Sequence, residues 1–198
     1  MGKSLNNSNS VTLTIKNMVC NRCIRVVREE LENMGLDVRS VILGEVIIAS
    51  KKNKLDLMKI KSVLNSNGFD IVDDRKAKIV EKIKNAIIRL IHHSSNLEEF
   101  EMSYSQYLSK EVNAEYHQIS TLFSSIEGIT IEKYIILQKI ERVKELLKYD
   151  EQTLSEIAYQ MGYSSVSHLS NQFKKITGLT PTSFKKLTRP DRKPIDQL

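Results

Sequence analysis

The sequence predicts an α+β domain with the element order βαββαβ, followed by an all-α domain that contains an internal repeat. Alternating apolar residues, the pattern of half-buried strands, are confined to residues 11–74. From residue 75 onward the apolar residues recur at the three- and four-residue spacing of helices. A chain of 198 residues also has the length of two compact units.

The composition excludes several classes of protein. With 40% hydrophobic and 27% charged residues, the chain is neither fibrous nor disordered. Its apolar stretches are far shorter than the roughly 20 residues of a membrane span, so we expect no contact with a membrane. The N-terminus lacks the apolar core of a signal peptide, which predicts a cytoplasmic protein with free thiols. We expect no enzyme, because no catalytic grouping or phosphate loop appears in context.

Local signals predict each element of the first domain. Residues 1–10 are polar and are expected to be a disordered tail. Apolar alternation, helical spacing and the turn residues Gly35, Gly44 and Gly68 then define the elements. These are a strand over 11–16, a helix over 23–34, a hairpin over 38–49, a helix over 55–65 and a strand over 69–72. The order corresponds to a ferredoxin-like split βαβ domain over residues 11–74.

Two cysteines lie where the first strand meets the first helix. Cys20 and Cys23 are three residues apart at a helix N-terminus, where the helix dipole is expected to lower thiol pKa values. Paired thiolates favour soft metal ions, and two ligands alone suit linear Cu(I) best. Because the chain has only 2 cysteines, one protomer cannot build a four-thiolate zinc site. A redox pair, an incidental pair, and a shell completed by His or by a second chain remain open.

The pattern Met18-x-Cys20-x-x-Cys23, with Gly68-Phe69 before the last strand, resembles the heavy-metal-associated domain of copper chaperones and copper ATPases. The resemblance implies that Cys20 and Cys23 bind Cu(I), with Ag, Hg, Zn or Cd as other candidates. It also implies that Met18 anchors the loop in the core and that Phe69 shields the site. The sequence departs from that family in its short hairpin and at Asn17, where the family commonly has Gly.

Residues 75–95 predict a linker helix, and a repeated helix-turn-helix follows it. Phe123 precedes Gly128 by five residues, as Phe173 precedes Gly178. The two copies flank an uninterrupted helix over 131–149, which is long enough to hold two units about one DNA turn apart. The pair His92-His93 reads as a polar helix end rather than a metal site.

The second copy resembles the AraC/XylS family of transcriptional regulators. The residues that carry the resemblance are Ile157-Ala158, Gly162-Tyr163, the run from Leu169 to Lys175, Gly178-Leu179-Thr180-Pro181 and Phe184-Lys185. This resemblance implies a double helix-turn-helix DNA-binding domain over residues 96–188, with a tail over 189–198. It also implies double-stranded DNA and RNA polymerase as partners, with a homodimer possible.

Charge and periodicity predict the DNA-binding residues. Residues 165–198 carry 7 basic and 2 acidic side chains, whereas residues 90–132 carry 1 and 7. We therefore expect the second unit to anchor the protein on DNA and the first to contribute modestly. The second helix-turn-helix unit offers Ser170 and Asn171 toward base edges and Ser167 as a further DNA-binding residue on its outer face. Its phosphate candidates are Lys174, Lys175, Lys185 and Lys186. The first helix-turn-helix unit offers His117, Gln118 and Thr121 as candidates for base contact.

The sequence thus predicts a sequence-specific transcriptional regulator that responds to a soft metal ion, most simply copper. One alternative is a regulator whose first domain is a metal-independent dimerisation or protein-contact module. Another is a metallochaperone or thiol redox protein with a helical appendage.

Overall fold

The computed structural model describes residues 10–49, 55–93, 102–187 and 195. The chain divides into two compact units, residues 1–85 and 86–198. The predicted tails at 1–10 and 189–198 lie outside the described residues, except for Ser10, which begins the first strand, and Ile195. The predicted linker helix is α3 (Arg75–His93), which begins in the first unit and ends in the second.

The first unit contains a four-stranded sheet and two helices in the predicted order βαββαβ. The strands stand side by side as β2-β3-β1-β4, and every neighbouring pair is antiparallel. Helix α1 begins two residues earlier than predicted, because the extended Cys20 is its N-cap. The elements are β1 (Ser10–Lys16), α1 (Asn21–Asn33), β2 (Val38–Ile42), β3 (Glu45–Ala49), α2 (Leu57–Ser66) and β4 (Asp70–Val72).

The core of the first unit lies between one face of the sheet and the two helices. Strand alternation buries Leu13 and Ile15, and helical spacing buries Ile60 and Leu64 on α2. The helical spacing of Leu57, Ile60 and Leu64 predicts one shared apolar face, but for Leu57 this prediction is wrong. It occupies the first position of α2, and it is 45% exposed because the first turn extends beyond the buried face.

The turn between β2 and β3 packs closely against α3. Gly44 has a φ of +79°, a left-handed conformation that favours glycine. A Cβ atom at this position would lie 2.0 Å from Nδ2 of Asn85, whose side chain is buried. The turn therefore requires glycine both for its backbone and for the space beside α3.

The described part of the second unit is helical, as predicted. Helices α5, α7, α8 and α9 pack on α6, while α4 packs on α5 and α7 packs on α8. Each pair α4–α5 and α7–α8 is a helix-turn-helix. The elements after α3 are α4 (Tyr104–Val112), α5 (Tyr116–Glu127), α6 (Ile131–Tyr149), α7 (Leu154–Gln160), α8 (Val166–Thr177) and α9 (Pro181–Lys185).

The repeat seen in the sequence is also a repeat of start and stop signals. Ser103 and Thr153 form capping boxes at the first helix of each pair. Gly128 and Gly178 end the second helices in the left-handed conformation. None of the described helices combines the length and apolar character that a bilayer crossing requires.

Candidate nucleic-acid interface and thiol site

The two cysteines lie side by side at the start of α1. The Sγ atoms of Cys20 and Cys23 are 3.5 Å apart, and both side chains are half-buried. Cys20 is the N-cap residue, and Cys23 follows in the first turn, packed against the core of the first unit. The spacing therefore brings both sulfurs to one point, as the sequence predicted.

Burial raises the pKa of the Cys23 thiol above its ordinary value. Hydrogen bonds from the backbone at Val19 and Cys20 act in the opposite direction, but they are weaker than the cost of desolvating a thiolate. The expectation that the helix N-terminus lowers this pKa is therefore wrong for Cys23. A metal ion that binds here must displace a tightly held proton, so its binding is expected to release protons.

Asn17 holds the cysteine loop to the loop before β4. Its φ of 70° is left-handed, which Asn tolerates better than most residues. Its Nδ2 donates to the carbonyl oxygen of Gly68 over 3.0 Å. Asn17 thus adopts a left-handed backbone at the position where the family that the cysteine motif resembles commonly has Gly. Met18 and Phe69 flank the loop as buried members of the same core, at 1% and 7% exposure.

The donor set suits a thiophilic ion but supplies only two ligands. A separation of 3.5 Å is close to the edge of a tetrahedral thiolate site, which is about 3.8 Å for metal–sulfur bonds of about 2.3 Å. A linear ion with bonds of that length requires the sulfurs to move apart by about 1 Å. Across the described residues no group of three or more His, Cys, Asp or Glu side chains converges on one point.

His92 has a structural partner in the second unit. Its Nε2 lies 2.9 Å from Oε1 of Gln138, a fully buried residue on α6. Burial lowers the pKa of His92 to about 4, so the ring is neutral at physiological pH. The predicted polar helix end is therefore in part a packed contact between α3 and α6.

Helix α8 presents most of the predicted DNA-contacting residues of the second unit on its exposed surface. Ser170 differs, because its side chain is half-buried beside Leu169 in the helix. Ser165 caps the helix by accepting from the backbone N–H of His168 over 3.1 Å. The exposed candidates are Ser167, Asn171, Lys174 and Lys175.

The two lysines of the last described helix differ from each other. Lys185 Nζ forms an ion pair with Oδ1 of Asp150, at the end of α6. Lys185 therefore has a carboxylate partner within the protein, and its contact with phosphate stays a prediction. Such exposed pairs are weak, so a phosphate can compete for this lysine. Lys186 is exposed as the C-cap of α9.

Helix α5 presents His117, Gln118 and Thr121 on its exposed surface. The start of this helix is fixed to α6 because the hydroxyl of Tyr116 donates to Oε1 of Glu132 over 2.5 Å. Burial and this bond raise the pKa of Tyr116, while the same bond lowers the pKa of Glu132. The periodicity of the sequence did not indicate this contact between Tyr116 and Glu132.

Helix α6 joins the two helix-turn-helix units. Its 19 residues span about 28 Å at 1.5 Å per residue, somewhat less than the roughly 34 Å turn of DNA that separates successive major grooves. Two exposed second helices on one rod, with lysines on the second, define a double helix-turn-helix domain.

Comparison with known proteins agrees with this class. A family model described as a helix-turn-helix domain matches residues 108–187. The chain is similar to the probable transcriptional regulator LumQ of Photobacterium leiognathi, with 33% identity over 67 residues, which cover 34% of the chain and 27% of LumQ. It is also similar to the uncharacterized helix-turn-helix-type transcriptional regulator YdeC of Bacillus subtilis, with 25% identity over 126 residues, which cover 61% of the chain and 40% of YdeC.

The chain thus matches well under two thirds of the length of these curated relatives. Among solved structures, it is similar to the C-terminal domain of AraT, a response regulator from Geobacillus stearothermophilus. The TM-score is 0.48 at 23% identity, and the match covers 61% of this chain and 93% of that one.

Proposed function

We propose that this protein is a sequence-specific DNA-binding transcriptional regulator of the AraC/XylS type, acting in the cytoplasm and without enzymatic activity. The observation that carries the proposal is the match of residues 108–187 to a helix-turn-helix domain. The structure supports it with two exposed second helices, α5 and α8, on the single rod α6. RNA polymerase is the partner that a regulator of this type addresses, and it belongs to the same proposal.

In this proposal α8 anchors the protein and α5 adds a weaker second contact. Asn171 and Ser167 face base edges, and Lys174 and Lys175 neutralise phosphates. The first helix-turn-helix pair, α4–α5, has an acidic flank, so phosphate attraction there is weak. A phosphate contact and a base contact are separable, because loss of the first lowers binding to all sequences while loss of the second relaxes specificity at one position.

The proposal includes a soft metal ion, of which Cu(I) is the first candidate, held by Cys20 and Cys23. The two facing sulfurs and the supporting Met18 and Phe69 favour this assignment. The strand order β2-β3-β1-β4 with antiparallel neighbours is the order that a ferredoxin-like domain requires. The bound ion would replace the protons of both thiols and join the start of α1 to the preceding loop.

A second candidate role keeps the regulator but leaves the metal out. In this version the N-terminal unit, residues 1–85, is a dimerisation or protein-contact module. The observation that favours it is that the described residues bring only two soft donors together. The two candidates differ in whether metal changes DNA binding.

The test uses the full chain, purified under reducing conditions, and a DNA duplex obtained by selection in vitro. Binding of Cu(I), Zn(II) and Hg(II) is measured on wild type and on the double variant Cys20→Ser/Cys23→Ser, and DNA affinity is measured with and without each ion. We expect one soft ion per chain in wild type, none in the double variant, and a change in DNA affinity only in wild type.

DNA affinity that ignores metal in both proteins would favour the contact-module role. Failure of wild type to select any sequence, in low salt, would refute DNA binding itself. Lys174→Ala serves as an internal check, because loss of one phosphate contact should reduce the salt slope of binding by about one.

A further inference from the structure

Lys139 lies in the middle of α6, and its ammonium faces one aromatic ring from each helix-turn-helix unit. Nζ is 5.5 Å from the centroid of the Tyr104 ring and 5.1 Å from that of the Tyr163 ring. Tyr104 begins α4 in the first unit, and Tyr163 lies in the turn between α7 and α8 in the second. Both distances are within the about 6 Å at which a cation is attracted to a ring face. One cation is therefore shared by the two units.

The Tyr163 ring transmits this contact to α8. Its hydroxyl donates to Oε1 of Gln172 over 2.7 Å, and its ring meets the ring of His168 edge-on at a centroid distance of 5.3 Å. Both partners belong to α8, the helix that carries the predicted DNA-contacting side chains of the second unit. The position of Tyr163 is therefore coupled to the position of α8.

The Lys139 side chain is half-buried, and the two rings offset part of the water that its ammonium loses. Desolvation lowers the pKa of Lys139 to about 8, so the ammonium remains protonated at neutral pH. A cation that faces two rings at once favours the one arrangement in which both rings lie near it. The same helix buries Glu141 and Lys144, which pair over 2.6 Å while Lys144 faces the Phe184 ring of α9.

We propose that Lys139 is a positioning residue that fixes the separation of α5 and α8, and thereby the distance between half-sites that the protein accepts on DNA. The proposal rests on the proposed DNA-binding function. An apolar side chain of similar length fills the same space but gives the two tyrosines no common charge to face, so the contact that links their positions is lost.

The test measures spacing preference. A two-part duplex selected by wild type is lengthened and shortened between its half-sites in steps of one base pair, and affinities are measured for wild type, Lys139→Met, Lys139→Arg and Lys133→Met. Lys133 is an exposed lysine on the same helix, so its variant controls for the loss of one positive charge. Arginine restores a cation that stacks on aromatic rings.

We expect wild type to lose about tenfold in affinity, equal to about 1.4 kcal/mol, when the spacing changes by one base pair. Lys139→Met should bind all spacings within about threefold of one another. Lys139→Arg and Lys133→Met should show the preference of wild type. A Lys139→Met protein with the sharp preference of wild type overturns the proposal, and so does a Lys139→Arg protein without it.

Circular dichroism shows whether each variant is folded. Should Lys139→Met not fold, Tyr104→Leu removes one ring while leaving the lysine, and it should broaden the preference in the same way; an unchanged preference overturns the proposal. If wild type binds no DNA, the proposed function fails and this proposal fails with it. Loss of spacing selectivity is read only against a wild type that binds, so the two failures are distinguishable.

Discussion

Replacing Gly44 by alanine should destabilise the N-terminal unit, residues 1–85, more than the same change at Gly35 does. Both glycines are left-handed, with φ values of +79° and +78°. Alanine in this conformation costs about 1–2 kcal/mol, partly offset by about 0.4–1 kcal/mol from the stiffer unfolded chain. A Cβ at Gly35 meets nothing within 4 Å, whereas one at Gly44 would lie 2.0 Å from Asn85 Nδ2. Gly35→Ala therefore measures the backbone cost alone.

The additional cost at Gly44 comes from moving a buried amide. Forcing an extra carbon into a packed interior costs about 1–3 kcal/mol, so we expect Gly44→Ala to exceed Gly35→Ala by about 2 kcal/mol. In the double variant Gly44→Ala/Asn85→Ala the clash is absent. The double variant should therefore lose less stability than the sum of the losses in the two single variants, and the difference, the coupling energy, should be about 2 kcal/mol.

Native-state hydrogen exchange of the hairpin amides is the suitable assay because it reports on the first unit within the full chain. The amide of Ile15, which donates to the carbonyl oxygen of Gly44 over 2.9 Å, is the most direct probe. An extra 2 kcal/mol corresponds to exchange faster by about 30-fold. Equal exchange in Gly44→Ala and Gly35→Ala, or additive effects in the double variant, would refute the close approach of turn and helix.

Three further results are expected. Cys20→Ser and Cys23→Ser should each abolish tight soft-metal binding while changing the free energy of unfolding of the metal-free protein by less than about 1 kcal/mol; unchanged metal stoichiometry in both, by elemental analysis, contradicts the site. Thr153→Ala removes the capping box of α7 and should cost about 1 kcal/mol in urea unfolding, so a change near zero argues against the cap. Asn171→Ala should relax specificity at one base pair by about 1–3 kcal/mol, and His117→Ala should cost less; footprints with the reverse order would reject the anchoring role of α8.

The fold class was predictable because its signals are local. Strand alternation in β1, helical spacing in α6 and glycines after the helices each act within a few residues of the chain. The convergence of Cys20 and Cys23 was predictable for the same reason, since one helical turn brings residues three apart together. The DNA-contacting residues remain predictions, with exposure on α5 and α8 as their structural basis.

Features that depend on distant parts of the chain were not predictable. The pKa of Cys23 follows from burial against the core, and this outweighs the helix N-terminus that its sequence position indicates. Lys185 is paired with Asp150, which lies 35 residues earlier. No local pattern distinguishes Lys139 from the other lysines of α6, and only the packing of both helix-turn-helix pairs on this helix brings two tyrosine rings to its ammonium.

The capping boxes at Ser103 and Thr153 have a consequence for how the two helix-turn-helix pairs can evolve. Helices α4 and α7 have 9 and 7 residues, too few to persist alone in water, yet each has its own start signal. Because each helix-turn-helix pair has its own helix start signal, its surface residues can change without changes in the other pair. The charge of the two copies can therefore differ, as the counts for residues 90–132 and 165–198 do, while both copies keep the same order of start and stop signals.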